Sequence, residues 1–175
     1  TNMLELVNDL LDVAEIEAGK FDLNIQEYDV VASIKEQIKA FEPQATAKHL
    51  VINYIGPDKQ MVKFDRVRIS QVITNLLSNS IKYTDSGQID LSVALEEKDK
   101  RVVVSIKDSG IGVSREDLSV LFSKFKQLKT FDSSRKGTGL GLVVSKGIVE
   151  AHDGQIWAES AGENLGSTFY FSLPL

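Results

Sequence analysis

The spacing of apolar residues along the chain predicts helices separated by strand-like runs. After a first helix near the N-terminus, the predicted helices cover residues 29–46, 65–83, 114–122 and 138–151. Ser114 is the expected N-cap of the helix over 114–122. For the helix over 29–46, an earlier end at Pro43 stays open as an alternative. Residues 123–136 show no clean period, so they predict a loop whose length is typical of a functional or mobile segment.

The first predicted helix carries an apolar stripe with no obvious partner nearby in the sequence. The stripe consists of Leu4, Val7, Leu10, Leu11 and Ala14. The pattern stops at Gly19, which suits a C-terminal cap. Two interpretations stay open at this point: an N-terminal core helix, or the tail of a longer helix that pairs elsewhere.

The predicted strands arrive mainly as hairpins. One strand is expected over 49–55. Two hairpins are expected after it: one pairs "QIDLSVALE" with "RVVVSIKD", and the other pairs "GQIWAES" with "GSTFYFSL". Because strands do not alternate singly with helices, the predicted fold class is α+β. We expect a mixed, mostly antiparallel sheet covered by helices on one face, and not a doubly wound parallel sheet.

Composition narrows the possible function classes. The 175 residues suffice for one domain, and a net charge of −5 offers no attraction to nucleic acid or to an anionic membrane. The lack of cysteine excludes disulfides and thiolate metal sites. No apolar run approaches transmembrane length. The chain starts without Met and inside a helical pattern, so we expect it to be part of a longer protein.

A glycine-rich stretch, "GTGLGL" at 137–142, stands directly before a predicted helix. Its glycines, Gly137, Gly139 and Gly141, allow close approach of backbone N–H groups to a ligand. A helix N-terminus adds unpaired donors and positive dipole, so the arrangement favours phosphate. The dinucleotide and P-loop fingerprints do not fit this string. A flexible loop before a core helix is the alternative interpretation.

A second glycine pair follows a strand in "DSGIGV". Here Asp108 can accept a hydrogen bond from an exocyclic amine, while Gly110 and Gly112 let the backbone bend around a flat ring. The commoner use of "DSG" is a tight turn with an Asx hydrogen bond. From these residues alone, the turn is the favoured interpretation.

Polar residues share one face of the helix predicted over 65–83. Asn75, Asn79 and Lys82 fall at i, i+4 and i+7, roughly opposite an apolar stripe. Amide oxygens suit Mg²⁺, and a lysine offers a point charge to phosphate. A solvated face is the alternative, although two asparagines within a helix are unfavourable for its stability.

Taken in order, these motifs resemble the catalytic ATP-binding domain of sensor histidine kinases. This domain belongs to the superfamily of gyrase, chaperone, histidine kinase and mismatch-repair ATPases, with the Bergerat fold. "NLLSNSIKYT" resembles the N box, "DSGIGV" and "GTGLGL" the glycine boxes, "LFSKF" the phenylalanine box and "GSTFYFSLP" the closing strand. The resemblance implies a two-layer α/β sandwich whose sheet is packed on one face by three helices.

The resemblance implies ATP and Mg²⁺ as cofactors and assigns residues to them. The implied nucleotide-binding residues are Asn75, Asn79, Lys82, Tyr83, Asp108, Gly110, Ile111, Gly112, Arg135, Lys136, Gly137, Thr138, Gly139, Leu140, Gly141 and Thr168. Asp108 would hold the adenine amine, with Tyr83 and Ile111 as walls of the ring site. Thr168 would lie under the adenine, through a water.

The same resemblance implies which residues bind the phosphates and the metal ion. Asn79 would be the main Mg²⁺ ligand with Asn75 beside it, and Asn75 and Lys82 are the implied catalytic residues. The amides of Gly139, Leu140 and Gly141 would cradle the phosphates. The stretch 123–136 would form the lid. Phe122 and Phe125 would pack its root, and Arg135 or Lys136 would be available to phosphate.

The implied function is donation of the γ-phosphoryl group of Mg-ATP to a histidine in two-component signal transduction. "LVNDLLDVAEIEAGKFDL" resembles the end of the second dimerisation helix and its linker, so we expect that tail over 1–20 and the catalytic domain over 21–175. Neither His49 nor His152 has the context of a phosphoacceptor, so the chain would not phosphorylate itself alone.

The resemblance also implies binding partners and a cellular location. The partners would be the histidine-bearing dimerisation domain of a homodimeric parent kinase and a response regulator, with no nucleic acid and no membrane contact. The location would be cytoplasmic. An ATP hydrolase of the same superfamily is disfavoured because Asn75 stands where such enzymes need a glutamate base. A degenerate nucleotide-binding scaffold is the third alternative.

Overall fold

The computed structural model describes residues 3–19, 21–123 and 138–175. The helices are α1 Met3–Glu17, α2 Val30–Ala47, α3 Arg66–Tyr83, α4 Arg115–Leu118 and α5 Gly141–Ala151. The strands are β1 Gln26–Asp29, β2 Leu50–Ile55, β3 Met61–Phe64, β4 Gly87–Glu96, β5 Arg101–Asp108, β6 Ile156–Glu159 and β7 Ser167–Pro174.

The main sheet has five strands in the order β2-β4-β5-β7-β6. Only β2 and β4 pair in parallel, while the β4–β5, β5–β7 and β6–β7 pairs are antiparallel. Helices α2, α3 and α5 pack against this sheet. The predicted fold class, an α+β sandwich with a mixed, mostly antiparallel sheet and three helices, is confirmed.

The core lies between the sheet and these helices. The predicted apolar stripe of α3 is completely buried, with Ile69, Val72, Ile73, Leu76 and Leu77 all at 0 % exposure. Inward-facing residues of the strands complete the core, among them Leu91, Val104, Ile106 and Phe171. The central position of α3 explains how one helix can present its opposite, polar face to a ligand site.

The N-terminal end of α3 is capped and tied to α5. The carboxylate of Asp65 caps the helix by accepting from the Arg68 N–H at 3.0 Å. The Asp65 N–H donates to Nε2 of His152 at 3.0 Å, so Nδ1 of this buried histidine donates to the Ile148 carbonyl. His152 thus has a structural role, because it joins the end of α5 to the start of α3.

Two predicted helices have other boundaries, whereas the helix predicted over 29–46 is confirmed as α2, which ends at Ala47. The alternative of an end at Pro43 is wrong, because Ala45 is buried in the core and holds the last turn in place. The short helix α4 covers only Arg115–Leu118, and α5 begins at Gly141 instead of residue 138. The small antiparallel sheet of β1 and β3 was not predicted, since strands of four residues are too short to show an alternating pattern.

The N-terminal helix α1 packs on α5 through a face that its apolar stripe did not predict. Val13 is buried at this contact, whereas Leu4, Val7 and Leu11 are at least 45 % exposed. The stripe is therefore not part of the core of this chain. Its pairing with another helix stays a prediction. Within the described ranges, no helix is both long enough and apolar enough to cross a membrane.

Candidate functional site

A buried carboxylate at the end of β5 forms one end of the site. Asp108 is 5 % exposed, and its Oδ1 accepts from the N–H groups of Gly110 at 2.9 Å and Ser167 at 3.3 Å. Its Oδ2 accepts from the hydroxyls of Ser167 at 2.9 Å and Ser80 at 3.4 Å. Burial raises the pKa of Asp108, and the hydrogen bonds from Gly110, Ser167 and Ser80 oppose that shift.

The two glycines after Asp108 are required by close backbone contacts. A Cβ on Gly110 would lie 2.4 Å from the Tyr83 carbonyl oxygen and 2.9 Å from Oδ1 of Asp108. Gly112 has a φ of +68°, and a Cβ there would lie 2.0 Å from the Gly162 carbonyl oxygen. The loop therefore lies tightly against the end of α3 and against the 160–166 segment.

Ile111 lies between these contacts, close to Tyr83. Its N–H donates to the Tyr83 carbonyl at 3.1 Å, and its carbonyl accepts from the Asn164 N–H at 2.6 Å. Both side chains are half-buried. The structure thus brings Asp108, Ile111 and Tyr83 together at the C-terminal end of α3.

Ser167, and not Thr168, lies beside Asp108 in the structure. Side chains alternate between the two faces of a strand, and Ser167 is the β7 residue that contacts Asp108. Thr168 pairs with Lys107 and lies on the face that carries Tyr170. Ser167, which was missed, directly follows Gly166 in "GSTFYFSLP", and its register opposite Asp108 is the signal that could have identified it.

The polar face of α3 extends from the neighbourhood of Asp108 to the first residues of α5. Nδ2 of Asn75 donates to the Gly141 carbonyl at 3.1 Å and to the Ser145 hydroxyl at 3.2 Å. Asn75 therefore clamps the N-terminal turn of α5. Eight residues separate Asn75 from Tyr83, which at the rise of an α-helix is about 12 Å.

Asn79 and Lys82 lie between those two ends on the same face. Asn79 is half-buried, and its side-chain amide has no hydrogen-bond partner within residues 3–19, 21–123 and 138–175. Nζ of Lys82 lies 5.2 Å from the centroid of the Tyr83 ring. The metal-ligand and catalytic roles of these residues stay predictions.

The second glycine box leads into α5. Leu140 occupies the N-cap position, none of the side chains that the structure describes caps the helix, and its first turn has no acidic residue. Gly139 has a φ of +72°, which turns the backbone into the helix. The Leu140 N–H donates to the Thr138 hydroxyl at 3.2 Å. Such a terminus suits an anion, because the unpaired N–H groups of a helix's first turn and the positive end of the helix dipole both face a ligand placed there.

Some predicted residues fall outside the described part of the chain. They are Phe125, Arg135, Lys136 and Gly137, together with residues 124–136 of the predicted lid. Phe122, which is predicted to pack at the root of the lid together with Phe125, is partly buried against the core. The roles assigned to all of these residues stay predictions.

The described residues fit a nucleotide with a hard metal ion. A site for a nucleotide base needs a buried hydrogen-bond acceptor and a backbone that can approach the flat ring closely. Asp108 supplies the acceptor, and Gly110 supplies such a backbone. Within the described ranges, no three His, Cys, Asp or Glu side chains cluster as a metal site. Mg²⁺ usually keeps several waters and takes few protein ligands, and the amide oxygen of Asn79 is a ligand that this face offers.

The chain matches a known protein family over most of its length. Residues 64–175 match the family described as "Histidine kinase-, DNA gyrase B-, and HSP90-like ATPase". The match starts at the end of β3 and includes α3, both glycine boxes and β7.

Individual relatives and solved structures agree with this match. The chain is 34 % identical to sensor histidine kinase WalK of Bacillus subtilis, over 98 % of this chain and 28 % of WalK. The crystal structure of full-length ShkA in complex with AMPPNP matches 98 % of this chain and 35 % of that one, with a TM-score of 0.87 and 25 % identity. The chain spans less than a third of the curated relatives it matches.

A further solved structure contains a second protein. Histidine kinase ThkA in complex with the response regulator TrrA matches 97 % of this chain and 48 % of that one. The TM-score is 0.75, with 27 % identity.

Proposed function

Because the chain belongs to the histidine kinase-, DNA gyrase B- and HSP90-like ATPase family, we propose that it binds Mg-ATP and donates the γ-phosphoryl group to a histidine on a dimerisation domain. The relatives that match nearly all of the chain are named histidine kinases, which favours that branch of the family. The donor half of a two-component signalling kinase is thus the proposed function.

One observation carries this proposal: a single helix connects a buried acceptor for a base to an uncapped helix N-terminus for phosphate. Asp108 lies beside the C-terminal end of α3, and Asn75 lies beside the first residue of α5. Because about 12 Å separates the two ends, the base and the phosphates of one nucleotide can occupy both. The AMPPNP complex of ShkA, a protein of similar fold, supports this interpretation.

The proposed roles follow from the chemistry of each side chain. Ionised Asp108 accepts from the exocyclic amine of adenine, and Ser167 and Gly110 hold the carboxylate in position. Asn79 offers an amide oxygen to the metal, and Lys82 offers a positive charge to phosphate. Bound Mg²⁺ would supply neutralisation of phosphate charge, so that positioning by the protein accounts for most of the catalysis.

The geometry at Asn75 disfavours a self-contained ATP hydrolase. Its amide cannot take a proton from water, and its nitrogen is engaged with Gly141 and Ser145. We infer that Asn75 positions the first turn of α5, with its remaining amide oxygen directed to metal or phosphate chemistry. A base for the acceptor would then come from the domain that carries the histidine.

The partners belong to the same proposal. His152 is engaged in the core, and His49 lies in the turn between α2 and β2 with a φ of +57°. The acceptor histidine would therefore lie on the dimerisation domain of a homodimeric parent, with the exposed stripe of α1 as the tail of the pairing helix. The complex of ThkA with TrrA supports a response regulator as the later partner. The cytoplasmic location stays a prediction.

A transfer assay tests this function. The chain is mixed with γ-labelled ATP, Mg²⁺ and the separately produced histidine-bearing domain of its own parent protein. We expect an acid-labile, alkali-stable label on the added domain, and none when Asn79→Ala replaces the wild type or when the acceptor histidine is changed to Gln. Release of phosphate without a labelled domain would instead indicate a hydrolase, and no reaction with no nucleotide binding would indicate a scaffold.

A further inference from the structure

A chain of hydrogen bonds connects α1 to the second glycine box. The Thr138 hydroxyl donates to Oδ2 of Asp9 at 3.1 Å, and the same hydroxyl accepts from the Leu140 N–H at 3.2 Å. Asp9 and Thr138 are 129 residues apart in sequence, so only the docking of α1 brings them together. The amide that the proposed function assigns to phosphate is therefore already engaged while α1 is docked.

Polar contacts hold α1 against the start of α3. Oδ1 of Asp12 accepts from Nη1 of Arg68 at 2.8 Å, and Oδ2 accepts from Nε2 of Gln71 at 2.7 Å. The guanidinium of Arg68 also stacks on the Phe21 ring, 4.4 Å from its centroid. Asp9 and Asp12 are one turn apart, so the contact with Arg68 fixes the side of α1 that meets Thr138.

The apolar part of the contact depends on a glycine in α5. Ile16 packs directly over Gly147, where a Cβ would lie 2.5 Å from Cδ1 and 2.8 Å from Cγ2 of Ile16. Both branches of a stiff side chain would be affected, so rotation about χ1 does not relieve the clash. A methyl group at position 147 would therefore displace α1 without changing any charge.

We propose that docking of α1 and binding of nucleotide phosphate compete for the second glycine box. Docked α1 holds the Leu140 amide through Thr138 and places the Asp9 carboxylate beside the site for a polyanion. Phosphate binding requires that amide to be released, and repulsion between Asp9 and phosphate disfavours the docked helix. This inference rests on the proposed function and adds regulation by the linker helix to it. By linkage, each event weakens the other by the same factor.

Calorimetry on the whole chain, with a non-hydrolysable ATP analogue and Mg²⁺, tests the competition. We expect Asp9→Ala to raise the affinity about three- to tenfold, the range that one hydrogen bond contributes. Gly147→Ala should raise it as well, since it displaces the same helix by a steric route. Asn8→Ala, on the exposed side of α1, is the matched control and should bind like the wild type.

Hydrogen exchange supplies the reciprocal measurement. Addition of the analogue should speed amide exchange in α1 of the wild type, whereas ligand binding commonly slows exchange elsewhere. In Gly147→Ala, exchange in α1 should be fast before the analogue is added, which verifies that the helix is displaced.

The outcomes separate this inference from the proposed function. Equal affinities of the wild type and both variants, or lower affinities of the variants, would overturn the competition and leave nucleotide binding intact. If the affinity rises in Asp9→Ala but not in Gly147→Ala, the effect comes from the local charge of Asp9, and the competition is overturned as well. Failure of every protein to bind the analogue would remove the proposed function itself.

Discussion

The Ser167 hydroxyl donates a 2.9 Å hydrogen bond to Oδ2 of Asp108, and the Ser167 N–H donates to Oδ1 of the same carboxylate. Two adjacent strands thereby fix the orientation of one buried acid, because the two residues face each other in the β5–β7 register. The carboxylate is positioned before any ligand arrives, which is the condition for selective recognition of a base.

Asp108→Asn tests base recognition with the fold retained. The Asn Oδ1 can accept from the two N–H groups, and its NH₂ can donate to the hydroxyls of Ser167 and Ser80. The NH₂ would, however, oppose the adenine amine, so we expect affinity for an ATP analogue to fall about ten- to a hundredfold. Competition between ATP and GTP analogues provides the measurement. An unchanged preference for ATP would show that another residue recognises the base.

A pair of neighbouring variants tests which residue of β7 serves the base site. Ser167→Ala removes one donor from a buried carboxylate, so nucleotide affinity should fall about three- to tenfold. Thr168→Ala is the control, because its side chain lies on the other face of the sheet and should leave the affinity unchanged. Fluorescence titration of both variants with one labelled nucleotide compares them. A larger loss in Thr168→Ala would reverse the assignment.

Gly110→Ala tests the close backbone approach beside Asp108. The added Cβ would meet the Tyr83 carbonyl at 2.4 Å, so the free energy of unfolding should fall by about 1–3 kcal/mol. Gly141→Ala is the matched control, because a Cβ there would contact the Asn75 side chain at no less than 3.6 Å. Urea denaturation of the two variants supplies the comparison. Equal stabilities would mean that the loop relaxes without cost.

The pH dependence of stability should carry a contribution from Asp108. Burial raises its pKa, so the folded chain holds this proton to higher pH than the unfolded chain does. The stability from this group is fully present below the ordinary aspartate pKa of about 3.9 and is lost as the pH rises through the raised folded value. Asp108→Asn should therefore gain stability relative to the wild type as the pH rises over this window. A constant difference in unfolding free energy would contradict the raised pKa.

The sequence could place candidate residues of the site where they lie in contiguous motifs. Asp108, Asn79 and the glycines stand out as candidates because each motif occupies one turn or one helix face, and their roles toward a ligand stay predictions. Ser167 and Thr168 show the limit of this approach. A shift of one residue along a strand changes the face of the sheet, and only the pairing of β7 with β5 determines which face meets Asp108.

Contacts between distant segments were not predictable. Periodicity in the first helix revealed the exposed apolar stripe, but the docked side of α1 uses Asp9 and Asp12, whose partners lie more than 50 residues away. The clamp between Asn75 and Gly141 likewise depends on how α3 and α5 meet. The end of α2 depends on a distant contact too, since burial of Ala45 in the core keeps the turn beyond Pro43 helical.

Asn79→Ala tests the predicted metal ligand. Without the amide oxygen, Mg²⁺ should no longer strengthen binding of the ATP analogue, while Mg²⁺-free binding should change little. Asn53→Ala is the control, because Asn53 bonds Asp90 on the β2–β4 pair, away from the polar face of α3. Titrations of both variants with and without Mg²⁺ make the comparison. Persistence of the Mg²⁺ effect in Asn79→Ala would place the metal on another ligand.

The central claim, that this chain binds Mg-ATP, is tested most directly by calorimetric titration of the unmodified chain with a non-hydrolysable ATP analogue. The titration is run in matched buffers with and without Mg²⁺. We predict saturable binding at one site that is stronger with Mg²⁺. Absence of binding in both buffers would contradict the claim.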